Sequence, residues 1–385
     1  MLKEKRLVPQ LRFSEFEVDW DSFPFEHIVK YVKSGKSKRD ENGIYNLYGS
    51  TGIIGKTNNF IAKGSYLLVA RVGANAGQIN FVDGKFGVSD NTLIVSFKDD
   101  IHIGFVKEFL IQFDLNRLVF GSGQPLVTGG LLKKIKIAIP NSEEQQKIAN
   151  FLTAIDTRIQ TLEKKKTLLG QYKKGVMQKI FKQELRFKDD TSTSLSASDG
   201  KAFPKWEFKN GNLLFKSISD KNHNSDLPIL AVTQDQGAIP RHLIDYNIGV
   251  TTKSLSSYKV VQMGDFIISL RSFQGGIEYS NYKGICSPAY IILKPIKEMD
   301  KTFYKYYLKT PNYIQELTRK LEGIRDGKMV SYKYFSEIKL PYPSIEEQAK
   351  IANFLSAIDR NIELVTKKIE HTKTYKKGLL QQMFV

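Results

Sequence analysis

Cysteine is nearly absent from this chain. Cys286 stands alone, so no disulfide can form within it, and a reducing compartment, the cytoplasm, is expected. Set in the run GICSPAYIIL, Cys286 reads as a small buried hydrophobe. No apolar run reaches the length of a membrane span, and no charged n-region followed by an apolar h-region opens the chain; neither a membrane protein nor an exported one is expected. The five histidines, His27, His102, His223, His242 and His371, show no paired ligand spacing, and with one cysteine this points away from a zinc site. A glycine-rich methyl-donor loop and an Asn-Pro-Pro-aromatic motif are also missing.

Acidic residues are the scarcer sign. Asp and Glu number 40 against 58 Lys and Arg, a net charge of +18, which points to a polyanionic partner. Nucleic acid comes before a membrane surface, because no basic amphipathic helix with a strongly apolar face stands out. Hydrophobic residues make up 41% of the chain, enough to build cores for two or three domains in 385 residues.

What is present twice sets the architecture. Glu143–Phe181 (EEQQKIANFLTAIDTRIQTLEKKKTLLGQYKKGVMQKIF) returns, shifted by 203 residues without a gap, as Glu346–Phe384, with 21 of 39 positions identical. Apolar residues recur in steps of four and three: Ile148, Leu152, Ile155, Ile159 and Leu162 in the first copy, and Ile351, Leu355, Ile358, Ile362, Val365 and Ile369 in the second. That period predicts a long helix with a coiled-coil seam rather than a broad core face. Pro140 and Pro343 precede Asn141 and Ser344 as N-caps, with Glu144 and Glu347 placed to close a capping box. Unbroken, such a helix spans roughly 58 Å. Gly175 and Gly378 occupy the same place in both copies and predict a bend or a close helix contact. Antiparallel pairing of the rods hides both seams; the alternative is two helices each packed on its own segment.

The motif LRF, at Leu11–Phe13 and again at Leu185–Phe187, opens each globular segment, so the order is circular: lead-in, globular segment, rod, twice over. DFIISLR matches SYLLVAR and puts Arg271 on Arg71; SPAYIIL falls on SDNTLIV and FYKYYL on FVKEFL. The globular parts share an order of elements but little identity, which predicts different ligand surfaces on one frame.

Catalytic motifs fail on inspection. GSTGIIGKT at Gly49–Thr57 leaves five residues, not four, between its first glycine and Gly-Lys-Thr, so it is read as a glycine-rich loop that lets backbone approach a partner or simply turns. Asp326, Glu337 and Lys339 resemble the carboxylate, carboxylate, lysine set of metal-dependent nucleases, but Lys134 stands in place of Glu337 in the first half. Recognition remains. Arg71 with Asn75, and Arg271 with Ser272 and Gln274, each put a guanidinium, an amide and flexible glycines after a strand, the groups that read guanine and adenine edges. Gln234 and Gln236 sit in VTQDQGAIPR, and Gln124, Arg325 and Lys328 in glycine-rich segments before the rods.

Together these features resemble the specificity subunit of type I restriction-modification enzymes. The carrying residues are the doubled EEQxKIANFLxAID and YKKG, the LRF lead-ins, YGSTGIIG at Tyr48–Gly55, Arg71 with VGANAG, and SPAYIIL at Ser287–Leu293, over essentially the whole length. The resemblance implies an α+β fold: two similar mixed α/β target-recognition domains separated by two long antiparallel coiled-coil helices, related by a pseudo-twofold internal repeat. The expected divisions are 1–140 and 185–342 for the domains, the latter with a polar loop at 189–200, and 141–184 and 343–385 for the helices.

Each domain is expected to read one half of a bipartite asymmetric site in double-stranded DNA, with Tyr48 and Ser50 joining the reading residues above. The helices are expected to set the gap and dock two modification (methyltransferase) subunits, with Phe151 and Phe354 beside the seam residues. Restriction subunits, ATP-driven, complete the complex. S-adenosylmethionine, ATP and Mg²⁺ belong to the partners, and this chain is expected to bind no cofactor or metal and to be non-catalytic. The competing readings are a coiled-coil DNA-binding adaptor without sequence specificity and a metal-dependent nuclease.

Overall fold

The computed structural model describes residues 7–118, 125–189, 201–224, 226–244, 255–319 and 330–385. Contacts divide the chain into two units, Met1–Lys165 with Val365–Val385, and Lys166–Leu364. Both repeats form single helices, Ser142–Phe181 and Ile345–Met383, and the unit boundaries fall inside them.

In the first unit a four-stranded antiparallel sheet runs in the order Val29–Ser34, Thr92–Phe97, Tyr66–Ala70, Ile79–Val82. Alternation along its strands decides what each face covers. Leu67, Val69, Leu93 and Val95 point to a core shared with Phe105 and Phe109 of the helix Ile103–Phe113, with Ile148 and Leu152 of the first rod, and with Leu379, Leu380 and Met383 of the second. Leu68 and Ile94 point the other way, to Phe86 and Val88 of a second sheet.

The second unit repeats the order with Phe215–Ile218, Ile291–Pro295, Phe266–Ile268, Glu278–Tyr279. Phe266, Ile268 and Leu293 face the helices; Ile267 and Ile292 face Leu230, Ala238 and Cys286. Cys286 is fully buried, and burial pushes its thiol up to about 12. A short antiparallel pair closes each segment onto the start of its rod: Asp21–Pro24 with Lys136–Ile139, and Glu207–Asn210 with Lys339–Tyr342.

The repeated motif residues are spent on this frame, in the same way in both units. The Arg12 fork grips buried Glu144 at 2.7 Å, and Arg186 grips buried Glu347 at 3.0 and 2.7 Å. Gln145 and Gln348 each donate to the carbonyl of the preceding proline, Pro140 or Pro343, and accept the backbone N–H of His102 or Asp300, fixing the helix that packs on the rod. Phe13 meets Phe151 edge-on, as Phe187 meets Phe354. The Leu11 N–H donates to the carbonyl of Gln382, near the end of the second rod, just as the Leu185 N–H donates to Lys179 near the end of the first. The circular order in the sequence is thus a hydrogen-bonded fact in each unit.

Rod pairs with rod through the aspartate of AID and the first lysine of YKKG. Lys376 reaches Asp156 at 2.6 Å in the first unit, and Lys173 reaches Asp359 at 2.6 Å in the second. Lys373 also reaches Glu163 at 2.6 Å, so one rod descends as the other rises: the helices run antiparallel.

Several details differ from expectation. The apolar stripe serves more than the seam between the rods: Ile148, Leu152, Ile155 and Ile159 in the first rod, and Ile351, Leu355 and Ile358 in the second, also join globular cores, because each rod packs on strands and a helix as well as on the other rod. Val365 is buried as well, while Phe151, Leu162, Phe354 and Ile362 are half-buried. The capping boxes are half-made. Asn141 and Ser344 accept the N–H of Glu144 and Glu347, but both carboxylates turn to arginine instead. Gly175 and Gly378 lie in continuous helix, and a methyl group at either would meet nothing within 4 Å, so no close contact within the chain requires them.

Candidate nucleic-acid interface

In the first unit, the strand Tyr66–Ala70 delivers Arg71 beside the loop 89–91. The guanidinium Nη1 donates to Ser34 Oγ at 2.9 Å and to the Asp90 carbonyl at 3.1 Å, while Nε is buried without a partner. The backbone of Arg71 is clamped too: its N–H donates to Asn91 at 2.9 Å, and its carbonyl accepts from Val127 at 2.8 Å. Part of this guanidinium is therefore used by the fold. Tyr48 and Ser50 come to the same loop, Tyr48 by accepting the Ser89 N–H and Ser50 by donating to the Asn91 carbonyl. Asn75 lies in the turn Gly73–Asn75, its amide oxygen held by Gln78 at 3.1 Å.

The stretch containing Tyr48 and Ser50 is a hairpin, Tyr45–Gly49 with Gly52–Thr57, turning at Gly52 with φ +94°. No helix follows it, so backbone amides are not gathered at a helix N-terminus as a phosphate-binding loop requires. Beside it the segment 35–40 exposes Lys36, Lys38 and Arg39 along a groove of about 420 Å³ that includes Asn58 and Asn59. Gly35 carries this loop inward: a methyl group there would sit 2.2 Å from the Val88 carbonyl oxygen. These three cations are not among the residues singled out from the sequence, although the KSKR run signals them.

In the second unit, Gln234 and Gln236 stand exposed on the turn between Leu230–Thr233 and Gly237–Pro240, and Arg271 and Gln274 are exposed at the short helix Ser272–Gly275. These two turns meet: Gln234 Nε2 lies 3.5 Å from the Arg271 carbonyl. Ser272 is different, being buried, with its Oγ accepting the Ser269 N–H at 2.8 Å; it shapes the turn from inside. Glu278 is buried below, and desolvation pushes its carboxyl up to about 7 against the opposing pull of Lys309.

Strand register corrects one pairing. Phe266 stands opposite Leu293 and Leu67 opposite Val95, so Phe266 is the counterpart of Leu67, not of Tyr66. Arg271 accordingly takes the place of Val72, one residue past Arg71. Matching the two arginines by identity slips the strands by one, which would turn every side chain to the wrong face.

Gln124, Arg325, Asp326 and Lys328 lie outside the described residues, as does 190–200 of the polar loop. Among the described residues, no group of three or more His, Cys, Asp or Glu is placed to hold a metal, and no helix is long and apolar enough to cross a membrane.

The family model for the type I restriction modification DNA specificity domain matches the chain twice, at residues 17–170 and 205–373. This chain belongs to that family. Each match takes in one globular segment and the first part of the rod that follows it. The specificity subunit MjaVIII of Methanocaldococcus jannaschii is 28% identical over 94% of this chain and 91% of its own. The EcoprrI specificity subunit of Escherichia coli is 29% identical over 38% of each chain. Among solved structures, the type I S subunit from M. genitalium superposes with a TM-score of 0.61 at 17% identity, covering 98% of this chain and 99% of that one. A chain from a study of type I complex assembly and conformational transition gives 0.55 at 16% identity, over 94% and 97%. As a specificity subunit of a type I restriction-modification system, the chain is a DNA sequence-recognition component and is itself non-catalytic.

Proposed function

We propose that this specificity subunit reads a split, asymmetric site in double-stranded DNA, one half through residues 1–140 and the other through residues 185–342. The observation that carries the reading is one sheet order built twice with unlike side chains at its loop ends: Tyr48, Ser50, Arg71 and Asn75 in one segment, Gln234, Gln236, Arg271 and Gln274 in the other. Gln124, Arg325 and Lys328 complete the proposed reading set. Lys36, Lys38 and Arg39 supply phosphate contacts that fix register without reading sequence. The helices 141–184 and 343–385 set the unread gap, on the order of one turn of DNA, about 34 Å. Methyl donor, ATP and Mg²⁺ act in the partner subunits, and the complex works in the cytoplasm.

The test is methylome sequencing of a host without methylation systems of its own, expressing this chain with its modification subunit and then without it. A bipartite motif with a fixed gap, present only with both proteins, is expected. Methylation that persists without this chain, or that never shows a split motif, would overturn the reading.

Two modification subunits dock on the rods in this proposal. The surface offered is the repeated set that the fold leaves unused: Tyr172 and Tyr375, 51% and 58% exposed, each three residues before a glycine with open space around it. Replacing Gly175 and Gly378 by alanine is expected to raise the stability of the free chain by roughly 1 kcal/mol each, as alanine is the better helix former. Co-purification with the modification subunit should fall at the same time; unchanged assembly places the docking surface elsewhere.

A further inference from the structure

Lys309 follows the helix Lys301–Tyr307 and carries no role in the reading above, yet three groups converge on its ammonium. It donates to the Gln234 carbonyl at 3.1 Å and to the Gly275 carbonyl at 2.9 Å, and it is hydrogen-bonded to the Glu278 carboxylate. Glu278 is anchored in the sheet opposite Ile267, its side chain is only 2% exposed, and its second oxygen has no hydrogen-bond partner. A fixed carboxylate thus holds a cation, and the cation holds the backbone of two separate turns.

The turns themselves fit too closely for alternatives. A methyl group on Gly275 would lie 2.7 Å from Gln234 Cγ, one on Gly237 2.5 Å from the Tyr279 carbonyl oxygen, and one on Gly276 2.2 Å from the Leu308 carbonyl oxygen. Gly237 and Gly276 also adopt φ +74° and +81°, which favour glycine.

We infer that Lys309 is a positioning residue for DNA reading by the second segment: it staples the Gln234–Gln236 turn to the Arg271–Gly275 turn, so that two amides and a guanidinium leave one surface in fixed register. This rests on the half-site reading proposed above. Lys309 holds backbone carbonyls rather than side-chain tips, which leaves Gln236, Arg271 and Gln274 to face bases, while the Gln234 amide lies against the Arg271 carbonyl. The first unit lacks the device. By strand and helix register, Asn80 stands in place of Glu278 and Ile111 in place of Lys309. There the turn after the strand is held instead by backbone bonds from Val127 to Arg71 and from Gly73 to Pro125. The staple belongs to one half-site alone.

The test uses full-length chain with its modification subunit in the methylation-free host. Lys309→Met is expected to loosen the motif in one half only, with discrimination at one or two base pairs falling by about tenfold or more. The other half and the gap should stay as in the parent. Gly275→Ala, which leaves the staple in place but displaces the Gln234 side chain, is expected to loosen the same half, and Ile111→Met neither. Should Lys309→Met fail to accumulate, Glu278→Gln with Lys309→Met removes both charges of the pair and takes its place.

An unchanged motif in the lysine and glycine variants overturns the inference, and so does loosening of both halves together, which is general destabilisation. A parent chain that yields no split motif defeats the half-site reading instead.

Discussion

Glu347→Ala is expected to cost about 3–5 kcal/mol of folding stability, among the largest losses any single side chain here can cause. Its carboxylate is buried and accepts three bonds, two from the Arg186 fork and one from Trp206 Nε1 at 2.8 Å. Alanine strands an arginine that is 23% exposed and an indole N–H that is buried, and stranded donors cost more than the net worth of the bonds they made. Glu144→Ala is the internal comparison. Arg12 grips Glu144 in the same way, but the Trp20 Nε1 of the first unit has no partner even in the parent, so one bond fewer is lost. Chemical denaturation of the two variants should place Glu347→Ala about 1 kcal/mol lower. A double-mutant cycle with Trp206→Phe isolates that difference; equal losses in the two glutamate variants would mean that the indole bond contributes nothing.

Lys376→Met is expected to destabilise by about 3 kcal/mol, while Lys173→Met, at the same position of the other repeat, costs about 1 kcal/mol or less. The contrast comes from what each lysine faces. Lys376 is 11% exposed and lies 2.6 Å from Asp156 and 2.8 Å from Glu108, a carboxylate only 2% exposed. Lys107 remains to hold Glu108 at 2.9 Å, which keeps the loss below that of an abandoned buried charge. In the second unit Tyr306 takes the place of Glu108. Its hydroxyl donates to Asp359 at 2.7 Å, and Asp359 is 39% exposed, so water and tyrosine replace much of what Lys173 supplied. Unfolding midpoints by calorimetry separate the cases. Equal shifts for the two lysines would show that the buried glutamate has no part in the difference.

These predictions fall on residues that the repeat made conspicuous and whose use it left open. Glu144, Asp156 and Lys173 recur at fixed spacing in the second copy as Glu347, Asp359 and Lys376, and the period of the isoleucines and leucines dictates helices. Whether those side chains serve a seam, a partner or the chain's own core depends on groups more than a hundred residues away, such as Arg12 against Glu144. Ile155→Asp illustrates the consequence. It would bury a charge in a core shared with Phe105 and Leu152, so loss of partner binding in that variant reports unfolding rather than docking.

The proposed reading surfaces were chosen by residue type, and position was less legible. Arginine and glutamine near glycines after a strand marked the turns proposed to read DNA, because such groups can pair with base edges. Identity nevertheless paired Arg271 with Arg71 one residue out of register, since the period of two that fixes a strand's faces is set by the strand beside it. Lys309 gave no local signal at all, as its partners Gln234, Gly275 and Glu278 lie 31 to 75 residues away along the chain.

By itself, then, the sequence determined the doubled order of elements, the long helices and their caps, and a basic chain without catalytic motifs, because periodicity, charge and repetition are local properties. Only the tertiary structure decided that the repeated Glu, Asp and Lys are internal ion pairs and that the apolar stripe belongs to globular cores. It alone brought the glutamines and Arg271 of the second segment to one surface. Those outcomes depend on contacts between distant residues, and burial, which sets how much each such contact is worth, exists only once the chain has folded.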